Sequence, residues 1–166
     1  MTENAPNLRL FKYMKVELAL LETFRDAELE LKSGITRKDW DGLEECIRKM
    51  KLLSADLVAV EDSRNRAFLE LRDLVGEEAG AGFYQVIVHL AVEEREQLAE
   101  LYRAMKFAAV SIRSVTYCID EHLQTVNGTL QQILNELFPY RKGNLYSKEG
   151  ARREVNHNPM IVNQHR

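Results

Sequence analysis

The residues able to do chemistry in this chain are few and scattered. Four histidines (His89, His122, His157, His165) and two cysteines (Cys46, Cys118) are the candidates for proton transfer, metal binding or nucleophilic attack. The cysteines stand alone, with no CxxC and no Cys/His cluster, so neither a zinc site nor a disulfide framework is indicated. Both read as small buried hydrophobes. A di-iron helical bundle needs Glu three residues before each ligating His, but Val86 and Ile119 occupy those places before His89 and His122. His89 and Glu93 form one i, i+4 pair, a spacing common by chance. A phosphotransfer role for His89 lacks a nearby Lys-Gly to cradle the phosphoryl group, and a helix histidine with ordinary partners is the simpler reading. Phosphate-binding glycine loops, HExxH and GxSxG are absent. The expectation is a non-enzymatic protein without metal or cofactor.

The elements that would position any site are helices. Of 166 residues, 45% are hydrophobic and 30% charged, with eight Gly and three Pro. That is enough apolar material for a core and too few breakers for a sandwich or barrel. No apolar run approaches the roughly 18 residues of a membrane span. The first residues, MTENAPNLRLFKYMK, lack a signal-peptide h-region, so a cytoplasmic protein without membrane insertion is expected.

Three helical blocks follow from periodicity. Phe11, Met14, Leu18, Leu21, Phe24 and Leu31 line one face of a helix from about Leu8 to Lys32, which Ser33-Gly34 should stop. Thr36 with Asp39 reads as the next start, and Trp40 as a packing anchor in its first turn. A heptad then runs Leu43, Ile47, Met50, Ser54, Leu57, Glu61, Arg64, Phe68, Leu71, Val75, the spacing of a coiled-coil seam. Glu61 and Arg64, three apart, can pair with each other and with a neighbouring helix in a register-fixing polar layer. The glycine cluster at 76–82 is the turn into a third helix. From Phe83 to Phe138 there is no Pro and one Gly, Gly128, so a single 56-residue helix is expected. Its stripe comprises Ile87, Leu90, Leu98, Leu101, Met105, Ala108, Ile112, Val115, Ile119, Leu123, Val126, Leu130, Ile133 and Leu137. A stutter between Val115 and Leu123 and the weak point at Gly128 lead us to expect a hinge before Thr129–Phe138. Pro139 ends the helix.

The resulting fold class is all-α: an elongated antiparallel three-helix bundle or coiled coil with a long C-terminal helix and a flexible tail. The first two helices should each lie antiparallel on part of the third, leaving its C-terminal turns uncovered. The domains are then residues 1–138, helical, and 139–166, a basic tail. That tail has six basic residues against two acids, net +4, whereas the preceding 138 residues carry 17 bases and 24 acids, net −7. Six bases interleaved with acids form a thin nucleic-acid signal, and a protein surface is the favoured partner. Tyr140, Leu145, Tyr146, Val155, Met160, Ile161 and Val162 suit a tail that orders on a partner.

The stretch Leu18–Arg64 resembles the first helical hairpin of the FlgN-type flagellar export chaperones. There a Leu-rich helix with a Glu leads through a short turn to an Asp, then to a helix with Lys and Leu ending in a Glu/Arg layer. The corresponding residues here are LALLETF, TRKDWDGL, Lys51, Leu53, Leu57, Glu61 and Arg64. A second match is Asn127 followed by Leu130, Ile133 and Leu137, then a tail with Tyr146-x-x-x-Gly150. The basic stretch after Gly150, ending PMIVNQHR, has no counterpart. The resemblance implies a cytoplasmic, non-enzymatic chaperone of type III flagellar secretion. Such a protein binds hook-associated (hook–filament junction) proteins, keeps them unpolymerised and delivers them to the export apparatus. It implies client binding by Asn127, Leu130, Ile133, Leu134 and Leu137, and export-gate docking by Tyr146 and Gly150. Which junction protein is bound and whether the free chain is a monomer stay open. A coiled-coil adaptor is the alternative.

Overall fold

The computed structural model describes residues 5–137. Four helices follow in order: α1 (Pro6–Arg37), α2 (Trp40–Val75), α3 (Phe83–Ile87) and α4 (Val92–Leu137), with no strand among the described residues. The fold is all-α with a long C-terminal helix. Its packing divides the chain after Glu121, and residues 5–121 are considered first.

Pro6 opens α1 with a φ already suited to helix. The helix does not stop at Gly34 but runs on to Arg37. Gly34 is buried, and a Cβ there would lie 2.9 Å from Leu43 Cδ2. This glycine therefore serves close approach of two helices, not termination. The left-handed terminating residue is Lys38 (φ 59°), and the Asp39 N–H closes back on the Gly34 carbonyl at 3.1 Å. Asp39, not Thr36, caps α2, its carboxylate accepting from the Gly42 N–H at 3.1 Å. Thr36 sits within α1 and donates to the Lys32 carbonyl. Trp40 is 73% exposed, so it anchors nothing.

Contacts along α1 and α2 nest from the turn outward. Gly34 faces Leu43, Lys49 pairs with Glu30, Arg64 with Glu17, and Arg9 with Glu70, which makes the hairpin antiparallel. The seam of α2 differs from the expected heptad in one of its two rows. Leu43, Met50, Leu57, Arg64 and Leu71 are covered as expected, but the second row is Cys46, Leu53, Val60 and Ala67. Ile47, Ser54 and Glu61 are exposed. The apolar effect explains the choice, since Leu53 and Val60 gain from burial where Ser54 and Glu61 would lose. Phe68 keeps partial cover by stacking on Phe83 (centroids 6.1 Å apart).

Gly76 (φ 79°) ends α2 in the left-handed conformation. The 56-residue helix expected after the glycine cluster is instead broken at residues 88–91, between α3 and α4. The reason is an aromatic stack. Phe83 and Tyr102 rings lie 4.1 Å apart, whereas a continuous helix would separate these residues by about 28 Å. Folding back at 88–91 makes the stack and buries Val86 and Ile87 beside Leu98. Glu93 and Glu94 then restart the helix where its dipole favours negative charge.

Leu10, Met14, Ala67, Leu71, Val86, Ile87, Leu98 and Met105 form the core. Asn7 is hydrogen-bonded to Glu94 and Thr116 to Glu28, offsets of 87 and 88 residues, so α4 runs parallel to α1 and antiparallel only to α2. With α1 and α2 already antiparallel, the third helix cannot oppose both, as the sequence reading had it.

Candidate functional site

The α4 stripe keeps one period throughout. At 3.6 residues per turn, Leu98, Leu101, Met105, Ala108, Ile112, Val115 and Ile119 share one face before Glu121, and Leu123, Val126, Leu130, Ile133, Leu134 and Leu137 share one face beyond it. The environments differ. Leu98 is 2% exposed, and Met105 and Ala108 are buried, with Leu101, Ile112, Val115 and Ile119 partly covered. From Glu121 to Leu137 every residue is exposed, Leu130 to 53% and Leu137 to 57%.

The helix passes through Gly128 without interruption, and a Cβ there would meet nothing within 4 Å. The expected hinge is therefore not a break in the helix. Thr129 donates to the Thr125 carbonyl one turn back, a bond compatible with continuous helix. Between His122 and Asn135 the polar positions are Gln124, Thr125, Asn127, Thr129, Gln131, Gln132 and Asn135, and no residue there is Asp, Glu, Lys or Arg. The candidate site is thus an apolar ridge edged by amides and hydroxyls. Asn127, Leu130, Ile133, Leu134 and Leu137 all lie on this segment and all are exposed. Tyr146 and Gly150, together with the whole 139–166 tail, lie outside the described residues.

The other candidates for chemistry are dispersed. His89 is not on a long helix but in the 88–91 break, with Nε2 2.7 Å from Glu77 Oε1, and Glu93 is not its partner. Cys46 is buried as expected, its thiol donating to the Ala27 carbonyl at 3.1 Å. Burial, then the negative charge of Glu30, pushes that thiol's pKa up, away from reactivity. Cys118 is exposed, against expectation, because it faces away from the α4 stripe. Among the described residues no group of three His, Cys, Asp or Glu side chains could hold a metal ion, and no helix is long and apolar enough to cross a membrane.

Two buried acids of α1 were missed because a helix acid ordinarily faces solvent. Glu17 is 7% exposed and lies 2.5 Å from Arg64 Nε, while Glu61 stands 3.7 Å from the same guanidinium. Burial raises the Glu17 pKa and Arg64 opposes that rise. Arg64 was legible as a polar seam residue, and Glu17, three residues after Met14, was its available partner. Glu28 is 4% exposed and is met by Thr116. Between α1 and α4 lies an open groove of about 640 Å³, lined by Leu21, Ile112, Arg113, Thr116, Tyr117 and Asp120 among others.

Comparison of the chain with protein-family models, with curated proteins and with solved structures gave no match.

Proposed function

We propose that this chain is a cytoplasmic flagellar export chaperone whose α4 end, from Leu123 to Leu137, takes up a helix of a hook–filament junction protein. The observation that carries the reading is the α4 stripe. The period that forms core around Leu98 and Met105 is repeated for four turns beyond Glu121, and there its leucines are exposed. Covering a half-exposed Leu, Ile or Val is worth about 1 kcal/mol, so the six such residues from Leu123 to Leu137 supply several kcal/mol toward a partner. An amphipathic helix laid along the ridge completes a temporary bundle. A client whose terminal helices would otherwise pair with their own kind is thereby masked.

Client contact falls to Leu130, Ile133, Leu134 and Leu137, with Asn127 at the edge. Export-gate docking falls to the neighbourhood of Tyr146 and Gly150, on the resemblance to FlgN-type chaperones. The same ridge also suits a plain coiled-coil adaptor that pairs with a second copy. Size-exclusion chromatography with light scattering separates the two. Mixed with the hook–filament junction proteins of its own genome, the chain should give a discrete complex that weakens in a 1–138 truncation of unchanged helical circular dichroism. A stable dimer that no junction protein disrupts would replace the chaperone reading with the adaptor.

A further inference from the structure

One hydroxyl between α1 and α4 faces two acceptors. Thr116 Oγ1 lies 2.6 Å from Glu28 Oε1 and 3.0 Å from the Ile112 carbonyl oxygen. A threonine hydroxyl has a single proton to give and two lone pairs to receive with. If Glu28 is a carboxylate, Thr116 donates to it and the Ile112 carbonyl keeps only the Thr116 backbone N–H of α4, so the weight falls on the other carboxyl oxygen. If Glu28 carries a proton, the chain closes: the acid donates to Thr116, and Thr116 donates to Ile112. The second carboxyl oxygen, Oε2, is buried without any hydrogen-bond partner. An orphaned oxygen is far cheaper on a neutral acid than on an anion.

We propose that Glu28 is held protonated and that its proton clasps α4 to α1, making the docking of these helices a pH-responsive device that loosens as the pH rises. The charged groups around the clasp leave this assignment standing. On α1, Arg25 is engaged by Asp26, and Lys32 stands one turn on. On α2, Lys49 pairs with Glu30, and Cys46 is a neutral thiol on the preceding carbonyl, that of Ala27. On α4, Arg113 and Asp120 lie about one turn either side of Thr116, with opposite charges. Burial is the leading cause acting on Glu28 and raises its pKa, while the Thr116 hydroxyl, where it donates to the carboxylate, acts the other way. The sign follows from linkage. A raised folded-state pKa gives stability that is complete below the ordinary glutamate range and lost as pH climbs through the folded value.

The test compares the full chain with Glu28→Gln by urea unfolding at several pH values between 5 and 8. Glutamine mimics the protonated acid, its amide donating to Thr116 at every pH. The ratio of folding constants, Gln variant over unaltered chain, should grow with pH by up to tenfold per unit until the Glu28 proton is lost, then level off. Glu17 also has a raised pKa, but it is common to both proteins and cancels in the ratio. A ratio independent of pH would overturn the proposal. Should the variant fold poorly, the Glu28 carboxyl carbon can be followed by NMR in the unaltered chain. Titration above the other glutamates supports the clasp, and titration among them refutes it.

Discussion

The two parts of α4 on either side of Glu121 share a period and differ in almost everything else. Before it, the stripe lies against α1 and α2, and its rims carry Glu93, Glu94, Arg95, Glu96, Arg103 and Lys106. Beyond it, the stripe is exposed and its rims are amides and hydroxyls up to Glu136. Periodicity therefore reports that a face is meant to be covered without saying by what. The change of rim is the second signal. Charges pin a covered helix in one arrangement, whereas amides accept partners of either sign.

The comparison predicts its largest contrast in leucine truncations. Leu98→Ala should cost about 2–5 kcal/mol in chemical denaturation, because Leu98 is fully buried. Leu130→Ala should cost under about 1 kcal/mol and show itself in partner binding instead. Equal costs would mean that the 122–137 face is already occupied in the free chain. Next comes Arg64→Ala, which leaves Glu17 buried without its cation. We expect a loss of about 2–3 kcal/mol, less than the 3–5 of a fully buried pair because Arg64 keeps some solvent contact. Glu17 then moves further up, so this loss should grow as pH rises, measured by unfolding at pH 5 and pH 8. The smallest effect belongs to two glycines. Gly128→Ala should stabilise by about 1 kcal/mol, since it sits in helix with open space around it. Gly34→Ala gains the same helix propensity but drives a methyl toward Leu43, so its thermal midpoint should not rise and should fall by a few degrees.

Much of the architecture was legible because helical period is a local property. The existence of α1 and α2, the turn at the glycine cluster and the α4 stripe all follow from spacing, whereas the end of α1 and the cap of α2 fall a few residues later than expected. What was not legible depends on partners distant in sequence. Gly34 looked like a stop because nothing local shows that Leu43 packs against it. The seam of α2 slipped by one residue in alternate positions, although Leu53 and Val60 beside Ser54 and Glu61 offered the better reading. The break at 88–91 carries no Gly or Pro and exists for the sake of a stack between Phe83 and Tyr102. Of the candidate site, Leu130, Ile133, Leu134 and Leu137 were read from the stripe and stand exposed, whereas Glu17 and Glu28 look like solvent-facing acids until their partners are known.

The central claim is that the 122–137 face of α4 is a binding surface, bare until a client helix covers it. Amide hydrogen exchange, taken on the free chain at low micromolar concentration and again with a hook–filament junction protein, tests it directly. Residues 92–121 should exchange slowly in both samples, and 122–137 quickly alone and slowly with the client. Protection of 122–137 in the free chain equal to that of 92–121, unchanged on adding any junction protein, would contradict the account.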